Sequence, residues 1–322
     1  MQNLIEGLND KQKEAVLATE GPCLVIAGAG SGKTKVLTHK IAYLISEKGV
    51  KPYNILAITF TNKAASEMKQ RVEKLVGDVA QEMWMGTFHS ICVRILRRFI
   101  DRIGFDTSFL IFDTSDQKTV VKECLKALNI DDKTFSDRSV LSEISNAKNE
   151  MLTPKAYQTK YAGEFRKEKI GQVYELYQKR LRENNAIDFD DIINYTIEIL
   201  SENPDVLQYY TEKFKYVLVD EYQDTNKAQF TLVTILASRY GNITVVGDND
   251  QGIYSFRGAD ISNILNFEKD FPGTKIIKLE QNYRCTGNIL KAANAVIKHN
   301  ENKYEKKLWT ENEEGSLPCL YQ

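Results

Sequence analysis

Ala27-Gly28-Ala29-Gly30-Ser31-Gly32-Lys33-Thr34 is the stretch on which the reading of this chain turns. It follows the apolar run Cys23-Leu24-Val25-Ile26, too short for a helix and rich in branched side chains, and it opens an amphipathic segment over 33–46. Strand, glycine-rich turn and helix in that order make a phosphate cradle, because glycines let backbone N–H groups close around phosphate oxygens at a helix N-terminus. In such a cradle Lys33 is expected to reach the β- and γ-phosphates of ATP, and the Thr34 hydroxyl to ligate Mg²⁺. Ala27 stands where the usual pattern has glycine and is small enough to fit. The spacing GxGxG, not GxGxxG, disfavours a dinucleotide fold.

The same alternation continues outward. Residues 55–60 (ILAITF) read as a buried parallel strand followed by a helix over 63–76, and 83–87 as a strand running into a helix with Ile91, Ile95 and Phe99 on one side. Further strands are expected at 216–219 (YVLV), 243–246 (ITVV) and 275–279 (KIIKL). Between about 115 and 200 the strand signals vanish, and helical periods such as Val120, Val121, Leu125 and Leu128 take over. The pattern predicts an α/β fold, a P-loop NTPase parallel sheet interrupted by an inserted all-α domain. The expected division is 1–110 with 190–285 for the ATPase domain, 111–189 for the helical insertion, and 286–322 for the start of a truncated second domain. That last part reads as a helix over 287–300, a polar link and an apolar stub over 317–321, which suggests a chain that continues.

A P-loop needs an acidic partner at the end of a neighbouring strand, and Asp220-Glu221-Tyr222-Gln223-Asp224 follows YVLV directly. Asp220 is expected to hold Mg²⁺ through water, and Glu221 to polarise the attacking water as general base. Asp188-Phe189-Asp190-Asp191 is a second acidic cluster, but with no histidine nearby and a helix starting there it reads as an N-cap.

DEYQD resembles motif II of the UvrD/PcrA/Rep group of superfamily 1 DNA helicases, and other blocks agree in order and spacing. LNDKQKEAV (8–16) is similar to the Q motif, TFTNKAA (59–65) to motif Ia, and TFHS (87–90) to the DNA-contact block after it. VVGDNDQGIYSFRGAD (245–260) resembles motif III, and QNYR (281–284) motif IV. The resemblance covers nearly the entire chain. It implies a RecA-like ATPase domain that uses ATP and Mg²⁺ and belongs to a 3′–5′ DNA helicase or translocase of DNA repair or replication. Single-stranded DNA and single/double-strand junctions are the implied partners, with repair or replication proteins beside them.

Carried over by position, the resemblance gives Gln12 an adenine edge, Tyr283 a stacking face for the base, and Gln251 the role of γ-phosphate sensor. Arg284 would neutralise charge on the transferring phosphoryl group and complete a catalytic set with Lys33, Glu221 and Gln251. Phe60, Tyr254 and Phe256 are the expected platforms for stacked bases, with Thr59, Asn62, His89 and Arg257 as backbone contacts. The family often has tryptophan where Phe256 stands. Members hydrolyse ATP between two RecA-like domains, and the later motifs of the second are missing from this sequence. On its own the chain is therefore expected to bind nucleotide and part of the DNA track, and to turn over poorly. Two rival readings share the P-loop: an ATPase or kinase acting on a small molecule, and a nucleotide-gated single-strand-binding module without turnover.

Composition sets outer limits. The 322 residues carry 43 basic and 44 acidic side chains, so DNA binding must rest on local patches and not on a global field. With 42% hydrophobic and 27% charged residues, a disordered or fibrous chain is excluded. The five cysteines form no CxxC pair, which argues against zinc and fits reduced thiols. The start MQNLIEGLND lacks a signal-peptide pattern, and no apolar stretch nears the ~18 residues of a membrane span. The expected location is cytoplasmic, with no membrane partner.

Overall fold

In the computed structural model, which describes residues 4–300 and 304–319, the short apolar runs are strands and the amphipathic segments between them are helices. In chain order the elements begin α1 (Asp10–Leu17), β1 (Cys23–Ala27), α2 (Lys33–Ser46), β2 (Ile55–Thr59), α3 (Asn62–Val76), β3 (Trp84–Thr87) and α4 (Phe88–Phe99). There follow β4 (Leu110–Ile111), α5 (Thr114–Ala127), α6 (Asp137–Asn149), α7 (Pro154–Lys160), α8 (Phe165–Glu183), β5 (Ala186–Ile187), α9 (Phe189–Glu202) and α10 (Pro204–Lys213). The chain then returns to strands with β6 (Tyr216–Val219), α11 (Lys227–Ala237), β7 (Ile243–Gly247), α12 (Ser262–Leu265), α13 (Phe267–Asp270), β8 (Lys275–Leu279) and α14 (Gly287–Ile297).

Six strands form one sheet in the order β3-β2-β6-β7-β1-β8, with every neighbouring pair parallel. β1, β2 and β7 are buried at every position, as strands covered on both faces must be. Val25 of β1 lies opposite Val246 of β7 and Ile277 of β8. Ala15, Val16, Val36, Ile41, Met68 and Val72 from α1, α2 and α3 bury against the strand residues Cys23, Val25, Ala57 and Leu218. Because all six strands run the same way, their carboxyl ends share one edge. The segments starting at Phe60, Gly28, Asp220, Asp248 and Glu280 all leave from it, which is where parallel sheets of this kind bind ligands. No helix among the described residues is long and apolar enough to cross a membrane.

The chain separates into two compact units, one of residues 1–87, 209–225 and 233–322, the other of residues 88–208 and 226–232. These limits differ from the division expected above. The helical unit reaches back to Phe88 because α4 buries Phe88, Ile91, Cys92 and Ile95 and packs along α9. It also contains a two-residue parallel pairing, Leu110 with Ala186 and Ile111 with Ile187, where no strand was expected. Its core gathers Val121, Leu125, Ile144, Val173, Tyr177 and Leu181 from α5, α6 and α8. Residues 286–319 group with the sheet, and α14 ends at Ile297. The end of the expected apolar stub, residues 320–321, lies outside the described residues.

Asp188 caps α9 as expected, its Oδ1 accepting the Asp191 N–H at 2.9 Å while Asp191 Oδ2 accepts the Asp188 N–H at 3.1 Å. The same pair also holds a buried cation. Lys148 Nζ lies 2.6 Å from Asp188 Oδ2 and 2.7 Å from Asp191 Oδ1, and Tyr177 donates to Asp188 at 2.9 Å. Burial opposes ionisation of Asp188, but Lys148, the Asp191 N–H and the Tyr177 hydroxyl together hold its carboxyl below the usual range. With one cation between two carboxylates, the second is the easier to protonate: burial and the Asp188 charge push Asp191 up to about 7 against the pull of Lys148. Between the ordinary carboxylate value and that point the native state binds a proton that the unfolded chain lacks, so this group's contribution to stability falls as pH rises. Asp191→Asn, which fixes the neutral form, should therefore gain on the wild type in urea midpoint between about pH 4 and about pH 8. Parallel curves for the two proteins over that range would refute the assignment.

Candidate functional site

Gly30 and Gly32 both adopt left-handed backbone conformations, with φ of +70° and +88°. A Cβ on Gly30 would sit 2.7 Å from Arg284 Cβ, so glycine is required there by both angle and space; at Gly32, where a Cβ would meet only the Gln12 amide tip at 2.7 Å, the angle is the stronger reason. The loop carbonyls are engaged by their surroundings. Ser31 Oγ donates to Gly28 O at 2.7 Å, Asn282 Nδ2 to Ala29 O at 2.6 Å, the Tyr283 N–H to Gly30 O at 3.0 Å, and Gln12 Nε2 to Ser31 O at 3.0 Å. The loop is thus held from several sides, and α2 starts directly from it at Lys33.

Lys33 Nζ lies 2.7 Å from Glu221 Oε2, joining the ends of β1 and β6 across the intervening β7. Glu221 has φ +48°, a left-handed conformation that is unfavourable for a residue with a side chain and typical of strain held at functional sites. Gln223 Nε2 donates to the same Glu221 oxygen at 2.9 Å, and Gln223 Oε1 accepts the Asp248 N–H at 3.0 Å. Asp248 Oδ2 in turn accepts from Gln251 Nε2 at 2.5 Å. A continuous polar chain therefore runs Lys33–Glu221–Gln223–Asp248–Gln251.

Asp220 is buried, and burial followed by the Glu221 charge pushes its carboxyl up to about 6, with Lys33 pulling the other way. Asp224 is raised to about 6 for the same two reasons in the same order. Its Oδ1 is buried without a hydrogen-bond partner among the described residues. Among the described residues no group of three acidic, histidine or cysteine side chains is placed to hold a metal by itself. Mg²⁺ needs only one or two carboxylates beside substrate phosphates, and Asp220 and the orphaned Asp224 oxygen are the ones that follow β6. Thr34, in the first turn of α2, is the neutral oxygen at the P-loop side.

Gln12 is buried, and its amide is engaged at both ends: Oε1 accepts the Asn9 N–H at 3.1 Å, and Nε2 reaches Ser31 O. The edge expected to read adenine is here used to tie α1 to the P-loop. Asn9, the N-cap of α1, donates from Nδ2 to the Tyr283 hydroxyl at 2.8 Å and to Gln281 Oε1 at 3.0 Å. Tyr283 is half exposed beside the loop, with its ring available as a face. Arg284 is exposed with its Cβ against Gly30, and among the described residues its guanidinium has no ion-pair partner. Asn9, Gln223 and Asn282 were not singled out from sequence. Gln223 lay inside the quoted DEYQD and Asn282 inside QNYR, and the capping pattern of Asn9 with Gln12 was the signal for the third.

The expected DNA contacts divide. Tyr254 and Phe256 are exposed, Phe256 by 72%, with ring centroids 6.0 Å apart on the loop that follows Gln251. Phe60 is half-buried at the end of β2, and Asn62 is exposed at the start of α3. Thr59 departs from the expectation: it is buried, and its hydroxyl bonds to Thr61 O at 3.2 Å because the chain bends there to cap α3. His89 belongs to the helical unit, its ring set edge-on to Phe189 at 5.9 Å. Burial holds its pKa below the ordinary histidine value, so it offers no cation to phosphate near neutral pH. The Arg257 side chain lies outside the described residues.

Comparison with known sequences agrees with this geometry. The profile described as UvrD/REP helicase N-terminal domain matches residues 8–272, and that of the UvrD-like helicase C-terminal domain matches residues 277–322. The chain is 59% identical over all 322 residues to an ATP-dependent DNA helicase PcrA of Staphylococcus epidermidis, and 58% identical to one of Staphylococcus aureus. In both cases the whole of this chain is covered, and it spans 44% of the relative's length.

Proposed function

Because this chain belongs to the UvrD/REP helicase family, we propose that its sheet-bearing unit binds Mg·ATP at the P-loop and couples it to single-stranded DNA, as part of a 3′–5′ DNA helicase or translocase of repair or replication. Single/double-strand junctions are the proposed substrate and the cytoplasm the proposed compartment. The observation that carries the reading is the polar chain from Lys33 to Gln251, which ends three residues from the exposed Tyr254.

The ion pair between Lys33 and Glu221 suggests the sequence of events. A triphosphate offers Lys33 competing anionic oxygens in a site where its side chain is only 11% exposed. Lys33 then turns to the β- and γ-phosphates, and the freed Glu221 carboxylate can accept a proton from the attacking water. Thr34 and, through water, Asp220 would hold Mg²⁺, which when bound would supply positive charge against the phosphates. Arg284 stands beside Gly30 to meet charge on the phosphoryl group from the opposite flank, and Tyr283 offers the base a stacking face. Gln251, released from Asp248 or turned with it, reports the γ-phosphate to residues 252–256.

Oligo(dT) titration with and without Mg·ATP tests the reading. The expected result is oligonucleotide binding whose affinity shifts with nucleotide, and ATP turnover that is low on this chain and rises with oligo(dT). Turnover indifferent to oligo(dT) favours a small-molecule P-loop enzyme instead. Because Phe256 is exposed, its removal should leave stability unchanged while costing one stacking platform, worth about 1–3 kcal/mol. Phe256→Ala should thus weaken oligo(dT) binding about 5- to 150-fold, and Phe256→Trp should tighten it. Fluorescence anisotropy reads both, and an unchanged Phe256→Ala affinity removes this residue from the track.

A further inference from the structure

Residues 304–310 cross the edge of the sheet where the nucleotide site lies. Trp309 donates its N–H to Glu280 O at 3.0 Å and accepts the Asn282 N–H at 2.7 Å, so the segment is zipped to the chain leaving β8. Leu308 lies on the P-loop: a Cβ on Gly28 would come within 2.3 Å of Leu308 Cδ2. Two residues earlier, Lys306 extends into the loop after β7. Its side chain is 4% exposed, and its ammonium lies 2.6 Å from Asp248 Oδ1 and 3.2 Å from Asn249 Oδ1 and also pairs with the Asp250 carboxylate.

Asp248 is the junction of this arrangement. Oδ1 takes Lys306 together with the Asp250 N–H at 3.0 Å, Oδ2 takes the Gln251 amide, and the Asp248 N–H goes to Gln223. A cation buried between two carboxylates is poor evidence of net stabilisation, since desolvation offsets most of the attraction. What it does supply is a fixed direction for each oxygen. Without Lys306, the buried Asp248 and Asp250 would repel one another and be drawn toward water, carrying Gln251 with them.

We propose that Lys306 is a positioning residue for the Gln251 loop: by clamping one oxygen of Asp248 it fixes the other on Gln251, and so ties residues 304–310 to the Lys33–Glu221–Gln223 network. The functional part rests on Gln251 facing the γ-phosphate, as proposed above; the positioning itself does not. Backbone hydrogen exchange and binding of a fluorescent ATP analogue with Mg²⁺ test it on this chain, in Lys306→Met, Lys306→Gln and Lys306→Arg. Lys306→Gln keeps volume and one donor, and is read if the Met variant fails to fold.

The Met and Gln variants should exchange amides 248–251 on the order of tenfold faster, with 28–34 and 220–223 unchanged. Analogue affinity should drop by roughly tenfold, with Lys306→Arg restoring both properties. Unchanged exchange at 248–251 overturns the proposal. So does faster exchange spread over 28–34 as well, or failure of both variants to fold, because Lys306 would then be a residue of the fold and not of the loop. A wild type that binds no analogue contradicts the nucleotide reading alone, while the exchange data still decide the role of Lys306.

Discussion

Lys33→Ala is expected to weaken Mg·ATP binding by about 30- to 4,000-fold, the equivalent of about 2–5 kcal/mol for truncating one partner of a desolvated charge pair. The side chain leaves the first residue of α2 and is 11% exposed, and its ammonium pairs with a Glu221 oxygen at 2.7 Å. Thermal stability should hardly move, because Glu221 is 37% exposed and keeps its bond from Gln223. Two further consequences distinguish the substitution from a general loosening. Lys33 opposes the upward push on Asp220 and Asp224, so its removal should move both carboxyls further up. Oligo(dT) affinity without nucleotide should stay as it was, since Tyr254 and Phe256 are on another loop. Calorimetric titration with Mg·ATP reads the main effect, and an affinity within about threefold of wild type would remove Lys33 from the phosphate site.

Lys148→Met should have the largest effect on stability, about 3–5 kcal/mol, because it strands a carboxylate in the interior of the helical unit. Lys148, Asp188 and Asp191 have side chains 1%, 3% and 3% exposed, so water cannot replace the missing cation. A loss of that size is a large fraction of the 5–15 kcal/mol typical of a whole domain. The double variant Lys148→Met with Asp188→Asn removes both charges and should recover much of the loss, since an uncharged pair of similar volume needs no counter-ion. Urea unfolding followed by far-UV circular dichroism measures both. With two compact units the transition is not assumed to be two-state, and the shift is to be read on the helical phase. A shift below about 1 kcal/mol in the single variant would mean that Asp188 finds another partner.

The sheet was legible because its central apolar runs, β1, β2 and β7, are buried on both faces. The runs 216–219 and 275–279 and the helix 33–46 coincide with β6, β8 and α2. What the pattern could not supply was the partner of a buried face. The stripe of Ile91 and Ile95 announces burial of α4 but does not say that α9 covers it, and so the helical unit begins earlier than expected. Two-residue strands such as β4 and β5 are too short to carry any periodicity. At the site, the P-loop and the acidic pair were visible because glycine spacing and strand ends are local features. Gln12 bonding to the loop carbonyl of Ser31, Thr59 turned into its own bend, and Lys148 reaching Asp188 forty positions away (|i−j| = 40) are tertiary facts that local spacing does not encode.

A crystal structure of the chain with Mg²⁺ and a non-hydrolysable ATP analogue would test the central assignment most directly. The account predicts the triphosphate over residues 28–34, Lys33 moved from Glu221 to a phosphate oxygen, and the cation between Thr34 and Asp220. Analogue bound elsewhere, or bound at the P-loop with the Lys33–Glu221 pair still closed, would contradict it.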